Sequence, residues 1–389
     1  MKELRKLVDA KVEEHGGNKF AGYNAAAAHV DNLITEGKMK TTDFSIKGLY
    51  EALCDTPLNE SAERVAEDLN TSAFPTIVSK VFHRDIIDAY DLSLGGVGSL
   101  VRTGKATRTD EELVVGFEAG DTEPQIRRQG MAYEETDFGD KNWKIFMADF
   151  GRMISLTREV IYEDRTGEVL KRAKDIGEAA GHHKQKIIVQ TIEGSARTAF
   201  EEAAFQGAFY KGAAKTGAEL YANSHATTFD GQTNDNLIAS NGLVDYTDLE
   251  ADWLAFAAMT DEAGNKINIV PKVLFIPAAL KAVAAKILKS DLLMAVGSTD
   301  LANIGTYNPV KDFDNLAIIS SVFLSSASTW FMGDFAKQLL ELVVYPPATA
   351  SQGANSELAF TNQIVARFRF SSHFGVGHTD YRYIMKNTQ

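Results

Sequence analysis

Apolar residues follow a helical spacing in some parts of the chain and a strand-like spacing in others, so the sequence predicts an α+β fold. Near the N-terminus, apolar residues recur at helical spacing over residues 4–12 and stop before Gly16 and Gly17. A stronger helix is predicted over residues 71–90. Residues 1–115 as a whole are expected to form short, loosely connected helices and an extended arm.

A long β-hairpin is predicted between Glu123 and Thr157. The stretch DFGDKN, residues 137–142, is a turn signal between two strand-like arms. After it, apolar residues alternate with other residues from Trp143 to Ala148. Each arm would run about 12–15 residues, or roughly 40–50 Å. An isolated ribbon of two strands is marginally stable in water, so it either rests on something beyond its own domain or belongs to an ordinary sheet.

The charge of this region favours a ribbon that rests on something beyond its own domain. Residues 109–165 contain 14 acidic and 7 basic side chains, a net −7 within a chain of net −13. A charged, projecting ribbon is suited to docking against a complementary neighbour. A solvated surface remains the simpler interpretation.

One amphipathic helix is predicted over residues 166–193. Its apolar stripe steps by three and four residues, and its length would be roughly 40 Å at about 1.5 Å per residue. Gly177 and Gly181 each reduce helix propensity by about 1 kcal/mol, which is explained if they permit close packing. His183 lies on the stripe and His182 beside it, about 100° apart, so both are expected in packing or surface roles rather than as joint metal ligands. The stripe consists of Val169, Ala173, Ile176, Ala180, His183 and Ile187.

Residues 223–345 predict a compact α/β region. A helix over residues 246–261 opens with Thr247 or Asp248 as its cap. A buried strand follows at residues 273–276, and Pro277 starts the next helix. The last section of the chain is predicted as strand, with an inward-facing set formed by Ile364, Ala366, Phe368 and Phe370.

Composition excludes several classes of protein. The length of 389 residues and the 44% hydrophobic content allow two or three domains with a sizeable core. The net charge of −13 argues against a surface that grips nucleic acid. Cys54 is the only cysteine, which excludes an internal disulfide and a thiolate metal cluster. The N-terminus lacks the apolar core of a signal peptide, and no run of residues is long and apolar enough to span a bilayer.

Candidate chemistry concentrates near the C-terminus. His373 and His378 are five residues apart, so they face opposite sides of a straight strand unless the nearby glycines bend it. His378, Asp380 and Arg382 would share one face, most simply as a salt bridge with a neighbouring histidine. A zinc site needs at least three good ligands, and only His378 and Asp380 qualify. The stretch is therefore predicted to be a structural strand.

Other catalytic and binding motifs are missing from the sequence. It contains no Walker loop, HExxH, GxSxG or CxxC motif. The stretch LGGVGSL lacks the strand-then-helix context of a phosphate-binding loop. DFG at residues 137–139 lacks the other kinase motifs, and Cys54 has no histidine close in sequence. We therefore expect no catalytic, cofactor-binding or metal-binding residues, although a site assembled from distant residues stays open.

Several phrases, in their order and spacing, resemble the major capsid proteins of tailed bacteriophages, which share the Hong Kong 97-type fold. The resemblance is greatest to the Mu-like major head subunit branch. It extends from about residue 60 to the C-terminus, and no single phrase is a strict motif. The phrases are EPQIRRQGMAYEETDFGDKNWKI, GRMISLTREVIYED, LYANSHATTFDGQTNDNL, MTDEAGNKINIVPKVLFIPAAL, SSVFLSSASTWFMGDF and FRFSSHFGVGHTDYRYIMKN.

The resemblance implies a division of the chain into five regions. The extended loop would lie across an adjacent subunit, and the axial domain would cluster around the symmetry axes of the capsomers. The regions in chain order are an N-terminal arm with short helices (1–115), the extended β-hairpin loop (116–157), the peripheral domain with its spine helix (158–222), the axial α/β domain (223–345) and the return strands of the peripheral domain (346–389).

The sequence departs from the family pattern over its first 60 residues, and cross-linking between subunits is a second feature to compare. The first 60 residues match the family poorly, so they are an uncleaved scaffolding segment or an elaborated arm, or a separate scaffold protein exists. Some relatives cross-link a loop lysine to a neighbour's asparagine; Lys141 and Lys144 lie near the predicted tip, but no partner asparagine is evident.

The function implied is that of a shell-forming structural protein, not an enzyme. It would assemble into pentamers and hexamers in the host cytoplasm and form the icosahedral virion shell around double-stranded DNA, without sequence-specific binding. Its partners would be copies of itself, with scaffold, portal and decoration proteins as further candidates, and it would need no membrane and no cofactor. The alternatives are an encapsulin-type compartment enclosing enzyme cargo and, in another class, a soluble hydrolase or metalloenzyme.

Overall fold

The computed structural model confirms the α+β class. It describes residues 2–36, 45–54, 64, 73–119, 126, 128–130, 138–163, 166–194, 220–227, 231, 233–291, 308–312, 316–353 and 364–389. The chain divides into two compact units. Unit 1 comprises Met1–Gly95, Asp149–Lys184 and Tyr345–His373, and unit 2 comprises Gly96–Ala148, Gln185–Val344 and Phe374–Gln389. The five regions predicted from the resemblance have other boundaries and stay a prediction.

The helices and strands are numbered in chain order. The helices are α1 (Lys2–Glu14), α2 (Lys19–Thr35), α3 (Ile46–Leu53), α4 (Phe74–Leu94), α5 (Arg158–Tyr162), α6 (Thr166–Glu193), α7 (Tyr246–Ala258), α8 (Lys281–Lys289) and α9 (Phe335–Gln338). The strands are β1 (Arg102–Lys105), β2 (Glu111–Ala119), β3 (Phe138–Phe146), β4 (Ala148–Thr157), β5 (His225–Ala226), β6 (Thr233–Asn234), β7 (Leu237–Ile238), β8 (Val273–Pro277), β9 (Ala317–Ser321), β10 (Trp330–Gly333), β11 (Leu339–Gly353), β12 (Ile364–His378) and β13 (Ile384–Asn387).

The N-terminal helices pack into the hydrophobic core of unit 1. Helix α1 ends before Gly16 and Gly17, whose backbones take left-handed angles, as the sequence predicted. Buried side chains of α2 and α3, including Tyr50, pack with those of α4 in one hydrophobic core. Residues 61–70, within the region where short helices are predicted, lie outside the described residues except for Arg64.

Helix α4 confirms the helix predicted over residues 71–90, with Pro75 in its first turn. Its buried Phe82 meets Phe368 edge-on, with ring centroids 4.6 Å apart. The glycines of LGGVGSL interrupt the α-helix without ending helical structure. The α-helix ends at Leu94, but a 3₁₀ helix follows at Gly95–Leu100 and buries Val97 and Leu100, because a 3₁₀ turn tolerates glycine while apolar side chains hold it against the core.

Helix α6 spans the predicted residues, Thr166–Glu193. The proposed role of its glycines is confirmed within unit 1. A Cβ added at Gly177 would lie 2.3 Å from the carbonyl oxygen of Ile86, and one added at Gly181 would lie 2.7 Å from that of Tyr90. Helices α4 and α6 therefore pack with their backbones in near contact, which larger residues would prevent.

In unit 1, the described part of β4 lies beside β12, and β12 lies beside β11. The predicted alternation of the last section is confirmed at Ile364, Phe368 and Phe370, which are all buried; the side chain of Ala366 is outside the described part of the chain. In unit 2, the beginning of β11 pairs in parallel with β1, from Arg102 opposite Leu340 to Lys105 opposite Val343.

Unit 2 contains a five-stranded sheet in the order β7-β13-β10-β8-β9. Strand β8 confirms the predicted buried strand, and a 3₁₀ turn after Pro277 leads into α8. The cap predicted for α7 is wrong. Asp245 caps the helix, and the Asp248 carboxylate accepts a hydrogen bond from the Asp245 amide at 2.9 Å. Asp248 thus completes a capping box from the third helical position, because its carboxylate accepts from the backbone amide of the N-cap residue Asp245.

Candidate functional site

The long hairpin of the sequence analysis exists, but its strands are not those predicted. Strands β2 and β3 form an antiparallel ribbon, with Glu111 opposite Phe146 and Ala119 opposite Phe138. The predicted turn at residues 137–142 is therefore wrong, because Phe138 to Asn142 lie inside β3. The Gly, Asp and Asn residues that read as a turn are held in the strand by pairing with β2, whose VVGF stretch favours a strand.

The far end of the ribbon lies largely outside the described residues. Of the segment between β2 and β3, residues 126 and 128–130 are described. Ile126 is 97% exposed there. Lys141 and Lys144 lie in β3, not at the tip, and their side chains are outside the described part. Nothing in the structure therefore bears on cross-linking.

The near end of the ribbon is anchored firmly in unit 2. Ile145 and Met147 are buried with Leu340 and Leu342 in a small apolar core. A Cβ added at Gly375 would lie 2.0 Å from the carbonyl oxygen of Phe146, so β12 approaches the ribbon as closely as glycine allows. The base of the ribbon is thus fixed within unit 2 by packing.

Hydrogen bonds also hold the two chain segments together at the base. The Met147 amide donates to the Asp110 carbonyl at 2.9 Å. The Glu112 carboxylate accepts from the Thr107 amide at 2.7 Å. Leu113, by contrast, is 45% exposed on β2. These hydrogen bonds therefore fix the direction in which the ribbon starts, whereas part of its apolar surface is exposed to solvent.

Charge gives the ribbon a strong negative bias. From residue 111 to residue 146 the sequence contains nine acidic and four basic residues. Strands β2 and β3 pair with each other alone among the described residues. No described strand pairs with the outer edge of either one, which is the arrangement that admits another strand.

The C-terminal residues His378, Asp380 and Arg382 do not share a strand face. Strand β12 ends at His378, and the chain bends before β13 begins. The predicted common face assumed a straight strand, so that part of the prediction is wrong.

His378 is buried in unit 2 between two uncharged partners. Its Nε2 lies 2.7 Å from the carbonyl oxygen of Thr191 and its Nδ1 lies 3.2 Å from Nε2 of Gln338. Because a carbonyl can only accept, Nε2 carries the proton and Nδ1 accepts from the amide of Gln338. Burial lowers the pKa of His378 to about 4, against a smaller opposing effect of the Thr191 carbonyl. The ring is a neutral structural link.

Arg382 forms a buried ion pair that the sequence did not reveal. Its guanidinium contacts the carboxylate of Glu262, and Asp380 lies farther away at 3.9 Å. Burial alone would lower the pKa of Arg382, but the negative charges of Asp380 and Glu262 raise it. The predicted salt bridge of Asp380 with Arg382 is thus present, but Glu262 is the nearer partner.

The remaining candidate residues have structural positions. His182 is exposed, and His183 is half-buried against Phe150 with ring centroids 4.9 Å apart, so the predicted surface and packing roles are confirmed. His373 stacks edge-on against Tyr345. Cys54 is a buried free thiol at the end of α3. Within the described ranges, no three His, Cys, Asp or Glu side chains lie close enough together to hold a metal ion.

A second buried polar cluster in unit 2 escaped the sequence analysis. Asn387 on β13 donates to the Asp252 carboxylate at 2.7 Å and accepts from Asn241 at 2.8 Å. Burial raises the pKa of Asp252 to about 8. The cluster holds β13 to α7, and only Asp252 within an apolar helix could have signalled it.

Comparison with known families identifies the class of protein. The family described as "Phage capsid protein" matches residues 141–387, which is more than half of the chain. The chain belongs to this phage capsid protein family. It is therefore a structural protein of the virion that forms a homo-oligomeric capsid shell, and the predicted major capsid protein with an α+β fold is confirmed.

Several solved structures are similar to this chain. They include the virus-like particle from Pyrococcus furiosus, at 10% identity and TM-score 0.44 over 80% of this chain and 99% of that one. The capsid of the native GTA particle has 10% identity and TM-score 0.46 over 76% and 89%. The capsid of Cyanophage P-SCSP1u has 12% identity and TM-score 0.45 over 74% and 86%. Curated protein sequences give no match.

The family match decides among the alternatives of the sequence analysis. It favours the capsid protein over the encapsulin-type compartment and over the soluble hydrolase or metalloenzyme. Across the described ranges, no helix has both the length and the apolar character needed to cross a membrane.

Proposed function

We propose that the β2–β3 ribbon of each subunit lies on an adjacent subunit and that this contact closes the capsid shell. The observation that carries the proposal is a ribbon with a packed base and two open edges. A ribbon of two strands is marginally stable in water, so a covering partner accounts for its length. Strands β2 and β3 both extend into the loop region 116–157 that the resemblance assigns to this contact.

The rest of the chain is assigned roles in the same assembly. Helix α6 is proposed as the spine of a peripheral domain over residues 158–222, completed by the return strands of 346–389. Residues 223–345 are proposed as the axial domain around the axes of pentamers and hexamers. Contacts that are weak singly become strong when a closed symmetric shell repeats them.

The shell is proposed to enclose double-stranded phage DNA without binding it by sequence. The net charge of −13 supports this, because phosphate contacts require clustered basic residues. Subunits are proposed to assemble in the host cytoplasm, with scaffold, portal and decoration proteins as further partners. The protein is proposed to have no enzymatic activity.

Truncation of the ribbon tests the proposal. Replacing residues 118–139 with Asn-Gly joins Phe117 to Asp140, which face each other in the ribbon, through a two-residue turn. The base with the buried Ile145 stays intact. We expect a folded subunit, with an unchanged thermal transition by circular dichroism, whose shells are absent by sedimentation and negative-stain electron microscopy.

A length-matched control replaces the same residues with a Gly-Ser linker. The linker preserves chain length but removes the contact surface, so it is expected to abolish shells as well. Normal shells from the truncated variant would refute the proposed role of the ribbon. Shells from the linker variant alone would show that only the connection matters.

A further inference from the structure

Strand β1 forms a positively charged sheet edge in unit 2. It pairs with β11 on one side, and no described strand pairs with its other side. The side chains of Arg102 and Lys105 are exposed, as is that of Arg108 just after the strand. In the described ranges, these three residues form no ion pair or side-chain hydrogen bond.

Acidic residues lie close to β1 in sequence or register. Asp110 is exposed and follows Arg108 by two residues, whereas two others are engaged or buried. Glu112 is bound to the Thr107 amide, and Glu341, which lies opposite Thr103 on β11, is buried. A sheet edge that no described strand covers and that carries a net positive charge is suited to an added strand with negative charge.

One other surface of unit 2 has comparable charge. Helix α8 exposes Lys281, Lys286 and Lys289 and contains no acidic residue. A helix, however, has no free backbone groups along its length to pair with an incoming strand. Strand β1 presents both the charge and the backbone donors and acceptors, so it is the better receptor for a ribbon.

The ribbon itself has the matching properties. It has two open edges and more than twice as many acidic as basic residues between positions 111 and 146. Within its own subunit β2 pairs with β3 and not with β1, although only five residues separate β1 from β2. The edge of β1 is therefore left for another occupant.

We propose that the β2–β3 ribbon of a second copy of this chain adds to the edge of β1 and places its acidic side chains against Arg102, Lys105 and Arg108. This proposal rests on the proposed function and names the receiving surface. Backbone hydrogen bonds along β1 hold the added strand, and the opposite charges determine which edge the ribbon selects.

A charge exchange between the two surfaces tests the proposal. Reversal of the β1 charges is expected to lower the yield of shells about tenfold or more, because like charges then face each other across every such contact. Reversal of the ribbon charges is expected to do the same, and the combined variant is expected to restore shells to within about twofold of the natural protein. The substitutions are Arg102→Glu and Lys105→Glu on β1 with Arg108→Glu just after it, and Glu118→Lys on β2 with Asp140→Lys on β3 of the ribbon.

The matched control reverses the exposed charges of α8 instead. The variant with Lys281→Glu, Lys286→Glu and Lys289→Glu is not expected to be rescued by the ribbon reversal. Rescue of this variant, or failure of the combined β1 variant to recover, would overturn the choice of β1 while the truncation result still supports the ribbon contact. Normal shells that lose their DNA on β1 reversal would show that β1 faces DNA, which also overturns it. Circular dichroism of the unassembled variants checks that each is folded.

Discussion

At the scale of single residues, burial in unit 2 favours the neutral forms of His378 and Asp252. His378 links the end of β12 to α6 and to Gln338 while its ring stays neutral. No charged group is among the causes of its lowered pKa, which are burial and the opposing Thr191 carbonyl. Nearby charges are engaged elsewhere: Glu193 accepts from Ser325, and Lys337 lies 3.9 Å from Asp334. Protonation of His378 would place an uncompensated charge in this interior.

His378 is therefore expected to make unit 2 sensitive to acid. Its folded pKa of about 4 is below the ordinary value of 6.5, so the stability it contributes is complete above pH 6.5 and is lost as the pH falls toward 4. The loss amounts to at most about 3 kcal/mol. Because the raised pKa of Asp252 acts in the opposite direction over this pH range, the difference between the natural protein and a His378 variant in urea unfolding of unassembled subunits at several pH values measures it.

The variant His378→Gln isolates this effect. Glutamine can still donate to the Thr191 carbonyl but has no proton to gain, so the fall in unfolding free energy between pH 6.5 and 4 is expected to shrink. The control His182→Gln alters an exposed residue and is expected to keep the natural pH profile. An unchanged profile for His378→Gln would contradict the assignment.

At the scale of secondary structure, close packing of two helices organises unit 1. Helices α4 and α6 meet where Gly177 and Gly181 leave no room for a Cβ. The low helix propensity of glycine is tolerated there because the close approach lets the buried faces of both helices contact each other. The same device recurs where Gly375 approaches Phe146 at the ribbon base.

Alanine substitutions distinguish packing from propensity. Gly177→Ala is expected to destabilise the subunit by about 1–3 kcal/mol, since its Cβ would lie 2.3 Å from the Ile86 carbonyl oxygen. Gly167→Ala on the same helix meets nothing within 4 Å and is expected to be neutral or to stabilise by up to about 1 kcal/mol. Thermal unfolding of both variants measures the difference, and equal stability of the two would refute the packing role.

Local periodicity was sufficient to predict the elements whose residue types favour the conformation that they adopt. The stripe of α6 predicted its bounds, and alternation near Phe368 predicted β12. Pairing between distant segments was not visible: Phe138 to Asn142 have turn-like residues yet form a strand opposite β2. The polar contacts of Asn241 with Asn387, 146 residues apart, were equally hidden. The resemblance indicated the projecting loop, but its strand register depended on cross-strand pairing.

At the scale of the whole molecule, the chain combines two compact units with a ribbon whose outer edges no described strand covers. Membership of the phage capsid protein family explains this arrangement, because every subunit of a capsid shell has adjacent subunits that can cover its ribbon. The negative ribbon and the positive edge of β1 then act as two halves of one repeated contact. Assembly of the shell therefore stabilises the ribbon, because a neighbouring subunit then covers it.

Electron cryomicroscopy of assembled shells tests this claim most directly. The account predicts that the density for residues 111–146 of each subunit lies on an adjacent subunit, with a ribbon strand beside Arg102–Lys105 of that neighbour. Density in which the ribbon folds back on its own subunit at every position of the shell, without touching a neighbour, would contradict it.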